Sequence, residues 1–318
     1  MVNGLLNLEP ALNDEELEIL AGLNKAPKQI SPKFFYDEAG SRLFEEICRQ
    51  PEYYPTRTEL QIMQENIREI AELVGQGASL IEFGSGSSIK TRLLLRHLPE
   101  LAAYVPVDIS KEHLVNAAED LADEFPDIEV LPVCADFTRP FELPRPTTMP
   151  KRNLVFFPGS TIGNFSRDEA LDLIRVMREE AKDNGALLIG VDLTKPKQVL
   201  EAAYNDAAGV TSDFNLNLLR RLNREHNANF RLSAFRHLAV YDTKRNRIEM
   251  RLISLKKQAV KFGDQAFTLD KGEYIVTEHS HKYTIAEFTS MAEESGFARR
   301  AVWTDAKELF SVQYLEAA

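Results

Sequence analysis

The chain has 318 residues, 44% of them hydrophobic, which suffices to bury the core of one large α/β domain or two lobes. A formal net charge of -11, with no long Lys/Arg cluster, disfavours a nucleic-acid partner. The two cysteines, Cys48 and Cys134, have no CxxC or Cys/His spacing, so neither a disulfide framework nor a metal site is expected, and a reducing cytosol fits best. No apolar run approaches the roughly 20 residues that a membrane-spanning helix requires. The N-terminal segment MVNGLLNLEPALNDEELEIL lacks a basic stretch followed by a long apolar one, so secretion is not expected.

The opening residues read as helices with no obvious strand: an acid-rich amphipathic stretch over Asp14 to Leu23, a break at PKQISPK, then SRLFEEIC ending before Pro51. From Thr56 to Val74, Leu60, Met63, Ile67, Ile70 and Val74 recur at steps of three and four, which predicts one long amphipathic helix. From residue 79 the rhythm becomes strand, loop, helix, repeated, as in a parallel sheet with crossover helices. The predicted strands are SLIEF, AYVPVD, IEVLPV, NLVFF and ALLIGVD. KTRLLLRHL, KEHLVNAAEDLADEF and RDEALDLIRVMREEA are the helices between them, the last two entered through Ser110 and Ser166 as N-caps.

After Lys195 the alternation stops. A helical stretch around YNDAAGVTSDFNLNLLRRLNRE precedes the strand-like FRHLAVYD, RIEMRLIS, QAFTL and EYIVTEHSHKY, which read as antiparallel pieces of a second lobe. IAEFTSMAEESG is a helix, and ARRAVWTD and LFSVQYL are expected to form a hairpin closing the main sheet. The domains are therefore expected to be interleaved, 60–194 plus 285–318 in one and 1–59 plus 195–284 in the other.

IEFGSGSSIKT runs from a strand through a Gly-rich turn into a helix, which turns backbone N–H groups and a helix N-terminus toward the carboxyl edge of the sheet. Gly84 and Gly86 permit close approach of a ligand, but Ile89 stands where the dinucleotide pattern GxGxxG demands a small residue, so a nicotinamide cofactor is disfavoured. The next strand ends in Asp108, placed to accept two ribose hydroxyls, and the third in Asp136 and Phe137, an acceptor for an adenine amino group and a cover for its face. Singly, a strand-end Asp reads as a cap or turn residue and Phe137 as core. In series at three successive strand ends they form the layout of a class I S-adenosylmethionine-dependent methyltransferase: an α/β, Rossmann-like, mostly parallel sheet, here with a second α+β substrate-binding lobe.

The fourth strand leads into FFPGSTIGNFS, a loop with two hydroxyls and Asn164 at the carboxyl edge. At this point the chain resembles the histidine Nα-methyltransferases of ergothioneine biosynthesis, which trimethylate histidine to hercynine. The resemblance runs through FFYDEAGSRLF, PEYYPTRTE, EFGSGSSIKTR, PVDIS, CADF, GSTIGNF, AYNDAAGVTSDFN, RIEM and TEHSHKY. It implies that Tyr53, Asn164 and Tyr204 bind the carboxylate and amine region of the amino acid and that Glu278 and Ser280 grip the imidazole. It also implies that Phe44 and Gly159 are pocket wall, that Met250 borders the substrate ring, and that Tyr36 lies near the reacting amine. Tyr36 and Tyr204 are the catalytic candidates. Tyr36, Gly84, Gly86, Lys90, Asp108, Asp136 and Phe137 are the cofactor-binding set.

Spacing alone reads Glu278 and Ser280 as the outer face of an edge strand, an assignment the resemblance reverses. A carboxylate and a hydroxyl two residues apart on a strand share a face and suit a flat ring with two opposed nitrogens. His279 and His281 face the other way and supply two ligands without a third, so no metal is expected. Transfer from a sulfonium needs alignment and a neutral amine, and the aromatic set Tyr36, Phe44, Tyr53 and Tyr204 suits a growing cation. The expected partner is L-histidine as a small-molecule substrate for a monomeric enzyme, with no nucleic acid and no membrane. Two other functions remain open: an Nα-methyltransferase of another amino acid such as tryptophan, and a non-catalytic S-adenosylmethionine-binding regulatory protein.

Overall fold

A computed structural model describes residues 4–8, 12–85 and 89–318. Gly86 of the expected cofactor set lies outside the described residues. In chain order, β1 (Leu6–Asn7), α1 (Leu12–Leu23), β2 (Lys28–Gln29), α2 (Glu38–Arg49) and α3 (Pro55–Val74) lead into the sheet region. Proline suits the start of α3 because the first helical N–H has no partner to lose. The alternating units are β3 (Ala78–Phe83), α4 (Ile89–His97), β4 (Ala103–Asp108), α5 (Lys111–Glu124), β5 (Val133–Cys134), β6 (Arg152–Phe157), α6 (Arg167–Ala181) and β7 (Ala186–Asp192). Then come α7 (Lys197–Ala203), α8 (Val210–Glu225), β8 (Phe235–Asp242), β9 (Arg247–Ser254), β10 (Gln258–Phe262), β11 (Gln265–Leu269) and β12 (Tyr274–His281). α9 (Ile285–Glu294), β13 (Phe297–Thr304) and β14 (Phe310–Ala317) complete the described elements.

The chain divides into two compact units, residues 1–9, 55–194 and 282–318 in the first and 10–54 and 195–281 in the second. These bounds differ from the expected ones at both ends of the N-terminal segment. β1 pairs with β5, which ties residues 6–7 to the first unit, and α3 belongs there from its first residue, Pro55. Neither two-residue strand, β1 or β2, is long enough to show a periodicity.

In the first unit the sheet order is β1-β5-β4-β3-β6-β7-β14-β13. β3 to β7 run parallel, and the terminal hairpin β13–β14 adds antiparallel beside β7, with Gln313 opposite Ile189. Strand residues alternate between two buried layers. Ile81 and Phe83 join α6 and α9 side chains on one face, while Ala78 and Leu80 meet Ile62, Met63 and Ile70 of α3 on the other. β5 is shorter than the predicted IEVLPV because Pro132 has no N–H for the ladder, and Val130 makes only an isolated bridge to Tyr104. Ser166 starts α6 in a reciprocal capping box with Glu169. Ser110 occupies the N-cap of α5 without a side-chain cap bond, and its N–H donates to Asp108 Oδ1 at 2.8 Å instead.

In the second unit β2-β12-β9-β8 form a four-stranded sheet, antiparallel except for β2 against β12, and β10–β11 form a separate hairpin. The helix expected to run from Tyr204 is broken: α7 ends at Ala203 and α8 begins at Val210. Asp206 causes the restart, because its carboxylate accepts the Val210 and Thr211 N–H groups, both at 2.8 Å, at the new N-terminus. Those bonds outweigh partial burial and hold the Asp206 carboxyl below its ordinary range.

Candidate active site

The expected residues fall into two sets. Gly84, Lys90, Asp108, Asp136, Phe137, Gly159 and Asn164 lie in the first unit, and Tyr36, Phe44, Tyr53, Tyr204, Met250, Glu278 and Ser280 in the second.

At the carboxyl ends of the parallel strands, Gly84 takes a φ of 75° and donates its N–H to Val107 O at 2.8 Å. A Cβ there would meet Phe137 at 3.8 Å, so the strained backbone, more than lack of space, calls for glycine. Phe137 packs on Phe83 and Phe157 with ring centroids at 5.5 and 5.8 Å. Asp108 ends β4, and burial pushes its carboxyl up to about 6 despite the Ser110 N–H bond. A carboxylate desolvated to that degree is stabilised by accepting hydroxyl groups, so Asp108 fits a ribose. Asp136 folds back on Thr138, accepting from its N–H at 3.1 Å and its hydroxyl at 2.6 Å.

Beneath the turn lies a buried polar layer that the sequence did not single out. Glu82 accepts from Thr91 Oγ1 at 2.9 Å and from the Tyr104 hydroxyl, and burial pushes its carboxyl up to about 7. Lys90, expected to touch cofactor, places its ammonium 2.6 Å from Glu59 Oε2, and the two side chains are only 9% and 1% exposed. Glu59 also accepts the Gly159 N–H at 2.9 and 3.0 Å, so it joins α3, α4 and the loop after β6. Gly190 makes room for it: a Cβ at that position would stand 2.0 Å from Glu59 Oε1. The signal for Glu59 was its place beside Leu60 on the apolar side of the long helix. Gly159, with φ 80°, and Asn164, which ends a 3-10 turn over Thr161–Asn164, shape the same loop.

The second unit holds a small cavity, about 250 Å³ with the open solvent at its mouth included, lined by Phe44, Ile47, Tyr53, Ala203, Tyr204, Thr211, Phe214, Met250 and Glu278. Tyr36 packs edge-on to Phe44 at 5.8 Å, Phe44 to Tyr53 at 6.2 Å, and Tyr53 to Tyr204 at 6.0 Å, so the four expected aromatics form one continuous set. Burial, then the neighbouring Tyr204, Cys48 and Glu278, pushes the Tyr53 hydroxyl well above its ordinary range, so it stays protonated and able to donate. The Tyr204 hydroxyl donates to Ser280 Oγ at 2.8 Å.

Glu278 and Ser280 pair with Met250 and Ile248 of β9, on the cavity side, while His279 and His281 pair with Glu249 and Arg247. Glu249 accepts from Arg247 Nη2 at 2.6 Å and Arg251 Nη2 at 2.7 Å, so that face is a charged lattice. Among the described residues no group of three or more His, Cys, Asp or Glu side chains is arranged to hold a metal. Thr211 and Phe214 were missed as lining residues, although VTSDFN was singled out. One helical turn apart on α8, they share a face, which shows only once the helix is known to start at Val210.

A parallel sheet of order β5-β4-β3-β6-β7, flanked by an antiparallel terminal hairpin and carrying the glycine turn, Asp108 and Phe137 at its carboxyl ends, defines a class I S-adenosylmethionine-dependent methyltransferase. A family model described as histidine-specific methyltransferase, SAM-dependent, matches residues 15–317, and the chain belongs to that family. Histidine N-alpha-methyltransferase of Mycolicibacterium smegmatis is 39% identical over 294 residues, covering 91% of this chain and 90% of that one. Its counterpart from Mycobacterium tuberculosis is 38% identical over the same shares. Ergothioneine biosynthesis protein 1 of Neurospora crassa is 32% identical over 205 residues, 62% of this chain and 23% of that longer protein. The cofactor is accordingly S-adenosylmethionine.

Proposed function

We propose that the protein transfers methyl groups from S-adenosylmethionine to the α-amino nitrogen of L-histidine, in successive rounds up to the trimethylated betaine, as the first step of ergothioneine biosynthesis. The observation that carries this reading is the second unit's aromatic cavity with Glu278 on its wall and Ser280 beside it, held by Tyr204. A neutral imidazole has one N–H donor and one bare nitrogen acceptor. Glu278 accepts the first, and Ser280, already an acceptor toward Tyr204, gives its proton to the second. Phenylalanine offers neither group a hydrogen bond, a difference of about 1–3 kcal/mol each.

In this reading the second unit binds the amino acid, Tyr53 and Tyr204 meeting its carboxylate and amine with Phe44 and Met250 as walls; the family resemblance alone gives Asn164 and Gly159 of the first unit a part in substrate binding. The first unit binds the cofactor through Gly84, Gly86, Lys90, Asp108, Asp136 and Phe137, and the family resemblance alone adds Tyr36 of the second unit to that set. Lys90 acts from its ion pair with Glu59, as a fixed charge near the turn. The sulfonium of the cofactor supplies an activated methyl group. The chain's own task is to present a deprotonated amine in line and to lead its proton away, for which Tyr36 and Tyr204 are the candidates. The aromatic rings favour the quaternary nitrogen of the product. No described helix is long and apolar enough to cross a membrane, and we assign the enzyme to the cytosol as a monomer.

The test is mass spectrometry of the purified protein with S-adenosylmethionine and a mixture of the standard amino acids. Histidine alone should gain mass, in steps of one methyl group. Transfer to tryptophan or another amino acid instead would sink the assignment of Glu278 and Ser280, and cofactor binding without any transfer would favour a regulatory protein. The Glu278→Ala variant should lose about 10- to 100-fold in kcat/KM for histidine while still binding S-adenosylhomocysteine.

A further inference from the structure

Tyr204 occupies an irregular position. It follows the end of α7 with φ -110° and ψ 4°, in the turn of residues 204–209 before α8. Its N–H bonds back to Glu201 O of α7 at 3.3 Å, and its carbonyl points to β8. Two contacts from the edge strand β8 hold this turn. The Asn205 side chain bonds both the N–H and the C=O of Ala239, at 2.9 and 3.0 Å, and His237 Nε2 lies 2.8 Å from the Tyr204 carbonyl oxygen.

His237 is itself oriented from behind. The Thr277 hydroxyl donates to Asn215 Oδ1 at 2.8 Å, and the Asn215 amide nitrogen, which also faces the Arg251 carbonyl at 3.5 Å, lies 2.8 Å from His237 Nδ1. Thr277 and Asn215 are fully buried. The carbonyl groups at its ends set the polarity of this chain. A carbonyl only accepts, so the Tyr204 oxygen calls for a proton on Nε2 and the Arg251 oxygen turns the Asn215 NH₂ toward His237; the Thr277 hydroxyl, which also has the Met250 carbonyl at 3.3 Å, donates to Asn215 Oδ1 in that arrangement. Nδ1 must therefore accept and Nε2 must carry the proton, which is what the Tyr204 carbonyl requires. An imidazolium would set Nδ1–H against the Asn215 NH₂, and burial likewise pushes the His237 ring toward its neutral form.

We propose that His237 is a positioning residue for substrate capture: Asn215 and Thr277 lock it as the neutral Nε2–H tautomer, and its bond to the Tyr204 carbonyl holds that tyrosine where its hydroxyl meets Ser280. The inference rests on the reading of the second-unit cavity as the histidine site. Its register supports it, since His237 opposes Leu252 and Ala239 opposes Met250, which places both on the cavity face of the sheet.

The test compares His237→Phe, which has no donor, with His237→Gln, whose carboxamide restores one, by steady-state kinetics on histidine and titration with S-adenosylhomocysteine. His237→Phe should raise KM for histidine on the order of 10- to 100-fold, with a smaller change in kcat and an unchanged affinity for S-adenosylhomocysteine, and His237→Gln should recover most of the loss. A merely structural role would lower melting temperature and active fraction without moving KM. An active wild type whose folded His237→Phe variant keeps its KM overturns the inference alone. A wild type inert toward histidine overturns the substrate reading and the inference with it. Long-range ¹H–¹⁵N correlation on the wild type, with six histidines to assign, decides the case even where His237→Phe does not fold. Nε2–H at the ring supports the proposal, and Nδ1–H overturns it.

Discussion

The two units solve the same problem, holding polar groups at a sheet, in opposite ways. In the first unit the parallel strands are buried on both faces, so β7 reads as an apolar run up to Asp192 and, apart from Ser79 and Glu82 buried within β3, the polar groups stand at the strand ends. In the second unit the antiparallel sheet alternates. Ile248, Met250 and Leu252 turn to the cavity side and Arg247, Glu249 and Arg251 to the other, so polar groups such as Glu278 and Ser280 lie within the strand itself. In the function proposed above, the first plan grips a cofactor by backbone and strand-end carboxylates, whereas the second reads a substrate by side chains in the body of a sheet. The first plan is general to a fold, and the second is specific to a ligand.

The largest test of this contrast concerns the charges the first unit buries outright. Lys282 Nζ stands 2.6 Å from Asp192 Oδ2, the side chains being 0% and 1% exposed. Asp192→Asn leaves the ammonium uncompensated and should cost about 3–5 kcal/mol, read by urea unfolding. A loss below about 1 kcal/mol would show that water reaches the pair.

A second test uses pH. The Glu82 carboxyl titrates near 7 in the folded protein against 4.5 in its absence, so its contribution to stability is full below 4.5 and is lost as pH rises to about 7. That loss is about 3 kcal/mol for the whole interval. Glu82→Gln should therefore flatten the fall in unfolding free energy between pH 5 and pH 8, and an unchanged slope would assign the titration to another group.

The third and smallest effect separates the ligands. Asp108→Asn should weaken S-adenosylhomocysteine by about 10- to 100-fold in calorimetry while histidine affinity holds. Equal losses for both ligands would show that the two sites do not act independently.

The legibility of the site follows the same contrast. The glycine turn, Asp108, Asp136 and Phe137 stand at the ends of strands whose apolar runs announce themselves, so spacing located them. Glu278 and Ser280 alternate on one strand as thousands of surface pairs do, and only long blocks shared with a family singled them out. Glu59 was hidden because a buried carboxylate on an amphipathic helix looks like an ordinary flank until Lys90, the Gly159 N–H and the space left by Gly190 surround it. His237 was hidden for a similar reason: nothing local relates it to Asn215, 22 residues earlier, or to Tyr204.

By itself the sequence determined what depends on near neighbours: helical and strand periods, the N-cap at Ser166, the crossover rhythm of a parallel sheet, and the run of strand-end residues that calls for an adenosyl cofactor. The tertiary structure alone decided what depends on closure between distant segments. It attached β1 and all of α3 to the first unit, broke the helix at Asp206, and turned Tyr204, Ser280, Asn215 and His237 into one hydrogen-bonded chain. The division has a physical cause, since periodicity and capping are set within a turn or two of chain, whereas a buried polar group is satisfied by whichever partner the fold brings to it.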